Sequence, residues 1–444
     1  KIGFVLSAAG ASVGLGNIWR FPYLAAKYGG GIFLLIYILL ALTFGYTMII
    51  AESALGRMTR KSPVGAFHAF GKAGWLSAGG WINAIIPVLI VPYYSVIGGW
   101  VIKYLIEYIR GNGKMLAADG YFSEFISNGV STELCFILFC LFTLVIIYAG
   151  VRNGIERVSR FMMPVLIVLS VLIAVYSVTR PGALEGVKYF LVPNPKNFSW
   201  MTVVAAMGQM FYSLSIAMGI LITFGSYMKK DTSLEDSTRN VEVFDTAIAI
   251  MAGLMIIPAV FAFSGSDPDT LQAGPALMFI TIPKVFENMG LGTAVGILFF
   301  LLVLFAAVTS SIALTESAVS TFEDEIGWSR KKSTVLVGVI MIVLGSLSSL
   351  GYGPLAFVKI IGMQFLDFFD FLTNSVMMPI AALMTSLLVA RVVGVKKIEE
   401  EIIHGESAFR RKKIFAVMIK YLCPIFVLII LISSVANAFG WISM

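Results

Sequence analysis

The stretch GASVGLGNIWRFPY, residues 10–23, sets three glycines, a serine, an asparagine and an arginine inside an otherwise apolar run. Such residues weaken a helix. A helix that unwinds in lipid leaves carbonyl and N–H groups that are costly when unpaired. A monovalent cation can satisfy the carbonyls. A carboxylate can satisfy the N–H groups where the helix resumes, aided by the helix dipole. One unwound segment can therefore hold Na⁺ and an anionic group together. A second run, GQMFYSLSIAMGILITFGSY (208–227), carries Ser213, Ser215 and Gly219 in mid-span. Ser213, Asp245, Thr309, Ser310 and Ser311 supply oxygens from other apolar stretches that could complete a cation shell. Arg20, Glu52, Asp245, Glu316, Asp367 and Asp370 also lie within or near such stretches. A charge at a span centre costs ~2.5–3.5 kcal/mol on insertion scales. Blander readings stay open on these residues alone. Small residues permit close helix packing, Asp245 can begin a helix at the interface, and Arg20 and Asp370 can snorkel outward.

The elements that must hold these groups are membrane helices. The 444 residues are 58% hydrophobic and 13% charged, against roughly 25% charged in a soluble chain. Long apolar stretches fall near 2–27, 32–56, 77–109, 132–150, 159–179, 201–228, 243–264, 291–322, 333–350, 364–394 and 414–443. Each is near or above the ~20 residues that cross a hydrocarbon core, so the chain is expected to be an all-α polytopic membrane protein with 11 transmembrane helices. The interrupted spans are the first and the sixth. If spans 1–5 (1–179) and 6–10 (201–394) are two repeats of a single transporter domain, an odd span number inserts them with opposite orientation, and span 11 (412–443) follows. Broken helices at matching places in an inverted 5+5 repeat point to a transporter site at the midplane. Outside the spans, 180–200 reads as an outer loop, 264–290 as re-entrant or surface helices forming a lid, and 394–413 as a solvated amphipathic helix.

The net charge of +7 is explained by topology rather than by nucleic acid. With the N-terminus cytoplasmic, most Lys and Arg fall in the inner connectors: Arg57, Arg60, Lys61 and Lys72; Arg152, Arg157 and Arg160; Lys229, Lys230 and Arg239; Arg330 to Lys332; and Arg391 to Lys413. This satisfies the positive-inside rule and sets the C-terminus outside. Cys135, Cys140 and Cys423 read as small buried hydrophobes, and His68 and His404 are too few for haem or zinc. Little here serves a membrane enzyme. The first apolar stretch continues into a full span, so no cleavable signal peptide is expected.

GNIWRFPY, YGGGIFLLIY, GQMFYSLS and VTSSIALTE resemble the neurotransmitter:sodium symporter family, the solute carrier 6 type, and most closely its bacterial amino-acid transporters. The likeness runs along essentially the whole chain. This family is itself a source of the broken-helix pattern, so the pattern and the likeness are one argument rather than two.

The resemblance implies two sodium sites. The first would use the Ser12 carbonyl, Asn17, Ser213 and Asp245 with the substrate carboxylate. The second would use the carbonyls of Gly10, Val13 and Ala306 and the hydroxyls of Thr309 and Ser310. The substrate would lie against Ala11, Val13 and Gly14, its carboxylate meeting Leu15 and Gly16 N–H and the Tyr94 hydroxyl. Its side chain would face Ile90, Ser215, Met218, Ser310 and Leu314, with Ser213 a further substrate-binding position. Tyr94 and Tyr212 would form the inner lid, Arg20 and Asp370 an outer ionic gate. Tyr227 and Asp324 match cytoplasmic gate positions whose usual arginine partner would precede Lys1. Gly154 and Pro164 match a hinge in span 5; an ordinary proline kink is the plain alternative. Monoamine members carry aspartate where Gly14 stands, so glycine implies an α-amino acid, and the pocket walls suggest a hydrophobic or aromatic one. The chloride positions would be Tyr37, Gln209, Ser213 and Ala249. With alanine at 249 and a fixed carboxylate at Asp245, no chloride requirement is expected.

The resulting expectation is a sodium symporter of the plasma membrane working by alternating access. A proton-coupled transporter of the same architecture and a sodium channel remain its rivals. The particular amino acid and the oligomeric state are not written in the sequence.

Overall fold

The computed structural model describes residues 10–265, 271 and 274–443. Among them there is no strand beyond one isolated bridge, Ile360 to Met363. Among the described residues nine helices are long and apolar enough to cross a membrane: α2 (Gly31–Thr59), α3 (Gly74–Ile109), α4 (Gly129–Tyr148), α5 (Val151–Val178), α7 (Leu234–Ser264), α8 (Gly292–Ile326), α9 (Arg330–Leu350), α10 (Phe365–Val393) and α11 (Lys412–Ala438). Two more apolar segments are helical but interrupted. One is helical at 10–12 and again as α1 (16–27), and the other comprises α6a (Trp200–Ser213) and α6b (Ile220–Tyr227).

The bilayer-facing positions are visible as greasy stripes. Leu134, Leu138, Leu141 and Val145 of α4 recur at helical spacing and are exposed, as are Ile425, Leu428 and Ile432 of α11. Such patches are unusual on a soluble protein; here they face lipid. α3 and α8 run through the interior and pack along each other, with α4 and α9 against them. α1, α2, α6b and α7 form a second group, closest between α2 and α6b. There the two backbones touch. A Cβ at Gly56 would lie 1.9 Å from the Ile222 carbonyl oxygen, and one at Gly225 would lie 2.4 Å from that of Ser53. Small residues at such a crossing let the helices close up without a hydrophobic driving force.

Several helices outrun their apolar stretches. α7 starts at Leu234 rather than near 243, capped by Ser233, whose hydroxyl accepts the Asp236 N–H. Its first turns hold Glu235, Asp236, Arg239 and Glu242, which hydropathy does not register. α5 likewise begins at Val151, eight residues early, through a turn bearing Arg152. Between α7 and α8, Leu277–Thr281 and Ile282–Glu287 are short surface helices. Phe279 there packs on Trp100, Tyr104, Phe122 and Phe300; the rest of the expected lid includes 266–270 and 272–273, outside the described residues. Of the amphipathic helix expected near 394–413, the segment Val395–Ile403 is helical, exposing Lys396, Lys397 and Glu400 and burying Ile398 and Ile402. Glu401 is buried as well, where it pairs with Arg57 and Lys230 on other elements.

Candidate substrate and sodium site

Both interruptions meet at one place. In the first, Gly14 turns back on Asn17: the Asn17 N–H donates to the Gly14 carbonyl at 3.1 Å, and the Gly14 N–H donates to Asn17 Oδ1 at 3.1 Å. In the second, residues 214–219 are non-helical, with left-handed φ at Ser215 (54°), Ala217 (60°) and Gly219 (70°). Glycine tolerates that region; serine and alanine are strained in it. The strain is held from outside. The Ser215 hydroxyl donates to the Ala11 carbonyl at 3.0 Å, joining the two breaks, and the Ala217 N–H donates to Glu52 Oε1 of α2 at 2.8 Å. Glu52 was only an unexplained membrane charge in the sequence. Its signal was burial without a basic residue at helical spacing.

Asp245 of α7 lies beneath the breaks with no exposed surface. Its Oδ1 accepts Asn17 Nδ2 at 2.8 Å and Ser213 Oγ at 2.7 Å, and its Oδ2 accepts the Tyr37 hydroxyl at 2.7 Å. Asn17 Nδ2 also donates to Ser213 Oγ at 2.9 Å. All three donors are neutral, and among the described residues no cationic side chain pairs with this carboxylate. A buried, unpaired negative charge is expensive, so Asp245 with Asn17 and Ser213 beside it could hold a cation, with the Asn17 amide turned to offer its oxygen. Ser12 is buried beside it.

A second oxygen cluster joins the first break to α8. Ser310 Oγ donates to the Val13 carbonyl at 3.0 Å, and Thr309 Oγ1 donates to the Ala306 carbonyl at 3.1 Å. A Cβ at Gly10 would sit 3.4 Å from Thr309 Cβ and 3.3 Å from the Met163 sulfur of α5. Pro164 follows Met163 inside a continuous α5, and Gly154 lies in the turn at its start.

Between these clusters is a cavity of 40 Å³. Its walls come from the first break between Ala11 and Asn17, Val13 excepted, from Ile90 and Tyr94 of α3, from Tyr212, Ser213, Ser215 and Met218 of the second, and from Ser310 and Leu314 of α8, with Ile220 added. Val13 contributes its carbonyl to Ser310 and does not line the space. The Leu15 N–H donates to the Tyr94 hydroxyl at 3.4 Å. A Cβ at Gly14 would fall 2.6 Å from Ser310 Oγ and 3.2 Å from the Tyr94 hydroxyl, so any larger residue would fill the cavity. Nothing in the sequence singled out Ile220, which lines the cavity directly after the left-handed Gly219.

Above lies a vestibule of 350 Å³. Tyr94 and Tyr212 line both spaces, as a partition between them. Arg20 and Asp370 share the vestibule but form no ion pair within 4.0 Å. Arg20 stacks over the Tyr212 ring, 5.1 Å from its centre, while Asp370 accepts from Asn374 and, at 3.3 Å, from Tyr93. In a vestibule this wide each charge has a nearer partner, so the ionic gate expected from the sequence is not made here.

On the opposite, basic face, Tyr227 and Asp324 do not meet each other. The Tyr227 hydroxyl donates to Glu316 Oε1 of α8 at 2.6 Å. Glu316 also pairs with Arg330 at the start of α9, whose Nε donates to the Ile147 carbonyl. Asp324 Oδ2 accepts the Ser62 N–H at 2.6 Å. Arg330 looked like one topological charge among many in the sequence; only the fold turns it inward.

Several relatives of this chain are named as sodium-dependent transporters. The model of the sodium:neurotransmitter symporter family matches residues 1–117 and 121–440. An uncharacterised sodium-dependent transporter of Bacillus subtilis is 34% identical over 442 residues, 98% of this chain and 96% of the relative. One of Haemophilus influenzae is 31% identical over 449 residues, 98% and 97% of the two chains. The human sodium- and chloride-dependent GABA transporter 2 is 27% identical over 90% of this chain and 74% of its own. The crystal structure of MhsT in complex with L-phenylalanine superposes with a TM-score of 0.86 at 36% identity, covering 98% of each chain. The protein is therefore a membrane transporter rather than an enzyme, and it belongs to the sodium:neurotransmitter symporter family.

Proposed function

We propose that the protein imports a hydrophobic or aromatic α-amino acid together with sodium by alternating access. One observation carries this reading. The uncompensated Asp245 carboxylate lies beside a cavity floored by unwound backbone, so cation and zwitterion can be bound as neighbours. The first sodium would sit among Ser12, Asn17, Ser213 and Asp245 and touch the substrate carboxylate. The second would sit among Gly10, Val13, Ala306, Thr309 and Ser310. Shared ligands make the coupling reciprocal: sodium raises substrate affinity by the factor by which substrate raises sodium affinity.

The apolar walls at Ile90, Met218, Ile220 and Leu314 support an apolar side chain. The phenylalanine held by the similar MhsT structure supports the aromatic end of that class. A cavity of 40 Å³ requires Met218, an unbranched and adaptable side chain, to move for a large substrate. Tyr94 and Tyr212 would close over it, and Arg20 and Asp370 would approach as the vestibule shuts. Release would follow separation of Tyr227 and Asp324 from their partners, with α5 loosening between Gly154 and Pro164. In this reading the basic face is cytoplasmic, the N-terminus lies on that side and the C-terminus outside the plasma membrane, and 1–179 and 201–394 are inverted repeats before span 11.

Chloride is not needed in this scheme. The Tyr37 hydroxyl is committed to the Asp245 carboxylate, and Ala249 brings no hydroxyl, so the fixed negative charge is built in. Uptake should survive replacement of chloride by gluconate; uptake that stops would defeat the claim.

The deciding experiment is a thermal-shift screen of the twenty amino acids in sodium and in choline. Stabilisation by hydrophobic or aromatic amino acids in sodium alone is expected. Stabilisation by the same amino acids in choline, with uptake driven by a proton gradient, would favour a proton-coupled carrier. Sodium currents without amino acid would favour a channel.

A further inference from the structure

The charged segment between α10 and α11 has no role in the scheme above, yet it holds buried ion pairs. Arg57, near the basic-face end of α2, has no exposed side-chain surface. Its Nε donates to Glu401 Oε1 at 2.7 Å, one terminal nitrogen donates to the Glu401 carbonyl, and the other to the Thr232 carbonyl. Glu401, 4% exposed, also pairs with Lys230 at 2.6 Å. Further along, Glu235 of α7 accepts the N–H groups of Arg410 and Arg411 at 3.1 and 3.2 Å, and Glu406 accepts the N–H of Glu235 at 2.8 Å. Arg411 reaches Glu242 at 3.4 Å and stacks 4.5 Å over Tyr46 of α2. Both ends of the segment are thus tied to α2, to the 228–233 turn and to α7.

That turn is the direct continuation of α6b, whose last residue, Tyr227, is bonded to Glu316 of α8. Arg60 grips the same turn through the Met228 carbonyl. We propose that the α10–α11 connector is a strap: through the buried Arg57–Glu401 pair it fixes the turn after α6b and so holds the cytoplasmic side of the path shut. Drawing Tyr227 away from Glu316 pulls Thr232 and Lys230 off the Arg57–Glu401 pair. Buried charges that lose partners are penalised far more than exposed ones, so the strap sets a threshold for opening. Lys230 is half exposed, and its share is the smaller one. The proposal rests on the alternating-access reading and on the basic face being cytoplasmic.

Thr223 of α6b provides a reporter, since its hydroxyl lies 3.3 Å from both Ser317 and Ser320 across the seam with α8. Thr223→Cys, with the half-buried Cys135 replaced by serine, is labelled by a soluble maleimide in purified full-length protein with and without sodium. In sodium, Glu401→Gln should raise the labelling rate roughly ten-fold, and Lys230→Gln should raise it less. An unchanged rate in a folded, monodisperse Glu401→Gln protein overturns the strap. If that variant does not fold, an unchanged rate in Lys230→Gln overturns it. Should sodium slow labelling of the parent while both variants behave like the parent, only the strap fails. Should sodium leave the parent unaffected, the alternating-access reading fails and the strap with it.

Discussion

Asn17 and Asp245 are separated by 228 positions in the chain, yet Asn17 Nδ2 lies 2.8 Å from Asp245 Oδ1. The contact fastens the first break to α7, and Ser213 of α6a joins both. The proposed substrate cavity is in this way mechanically continuous with the buried Asp245 carboxylate of the proposed sodium site.

Removing either partner should therefore weaken both ligands at once. In Asn17→Ala and Asp245→Ala, substrate affinity in sodium should fall at least about ten-fold, the range of ordinary coupling energies. The dependence of that affinity on sodium concentration should flatten as well. A sodium titration of substrate binding checks this, and a mutant with normal slope and normal affinity contradicts the shared site.

Gly14 is tested by adding one carbon. The Cβ of Gly14→Ala would meet Ser310 Oγ at 2.6 Å and the Tyr94 hydroxyl at 3.2 Å, inside the cavity proposed to hold the substrate. Overpacking typically costs about 1–3 kcal/mol of stability, and substrate binding should fall by more than that, roughly a further ten-fold. Equal losses in stability and binding would mean that the glycine serves packing instead.

Glu52 should matter as a hydrogen-bond acceptor for strained backbone. Glu52→Ala leaves the Ala217 N–H without its partner and should cost about 1–3 kcal/mol in the shape of the second break. Glu52→Gln retains an acceptor and should restore much of the substrate affinity. Thermal melts and binding isotherms on the pair measure this; a glutamine variant as poor as alanine would require the charge itself.

At the crossing of α2 and α6b, bulk should be destructive. Gly225→Val would drive a side chain into the Ser53 backbone, whose carbonyl oxygen is 2.4 Å from the Cβ position. Loss of monodisperse protein in detergent is expected, measured by size-exclusion chromatography. Wild-type yield and melting temperature would show that the helices can part cheaply.

Much of this molecule was legible from residue types. The apolar stretches announced membrane helices because lipid leaves few alternatives for an unpaired backbone. Glycine, serine and asparagine inside them marked both breaks for the same reason. Helix ends were less legible. The extra turns of α5 and α7 carry charges that hydropathy treats as loop, although capping by Ser233 keeps the α7 helix going. The roles of Arg20 and Asp370 were legible only as a pair of opposite charges, and the fold gives each another neighbour.

The sequence by itself determined the membrane class, the two interruptions and the oxygen-bearing residues around them, because each follows from local composition meeting the cost of burial. Tertiary structure decided which charges find partners. Glu52 meets Ala217, Glu316 meets Tyr227 and Arg330, and Arg57 meets Glu401, across separations of 165, 89, 14 and 344 positions. No local pattern encodes those meetings, since a buried charge requires a partner without specifying where in the chain it comes from. Only the packing of α2, α6b, α8 and the strap against one another makes that choice.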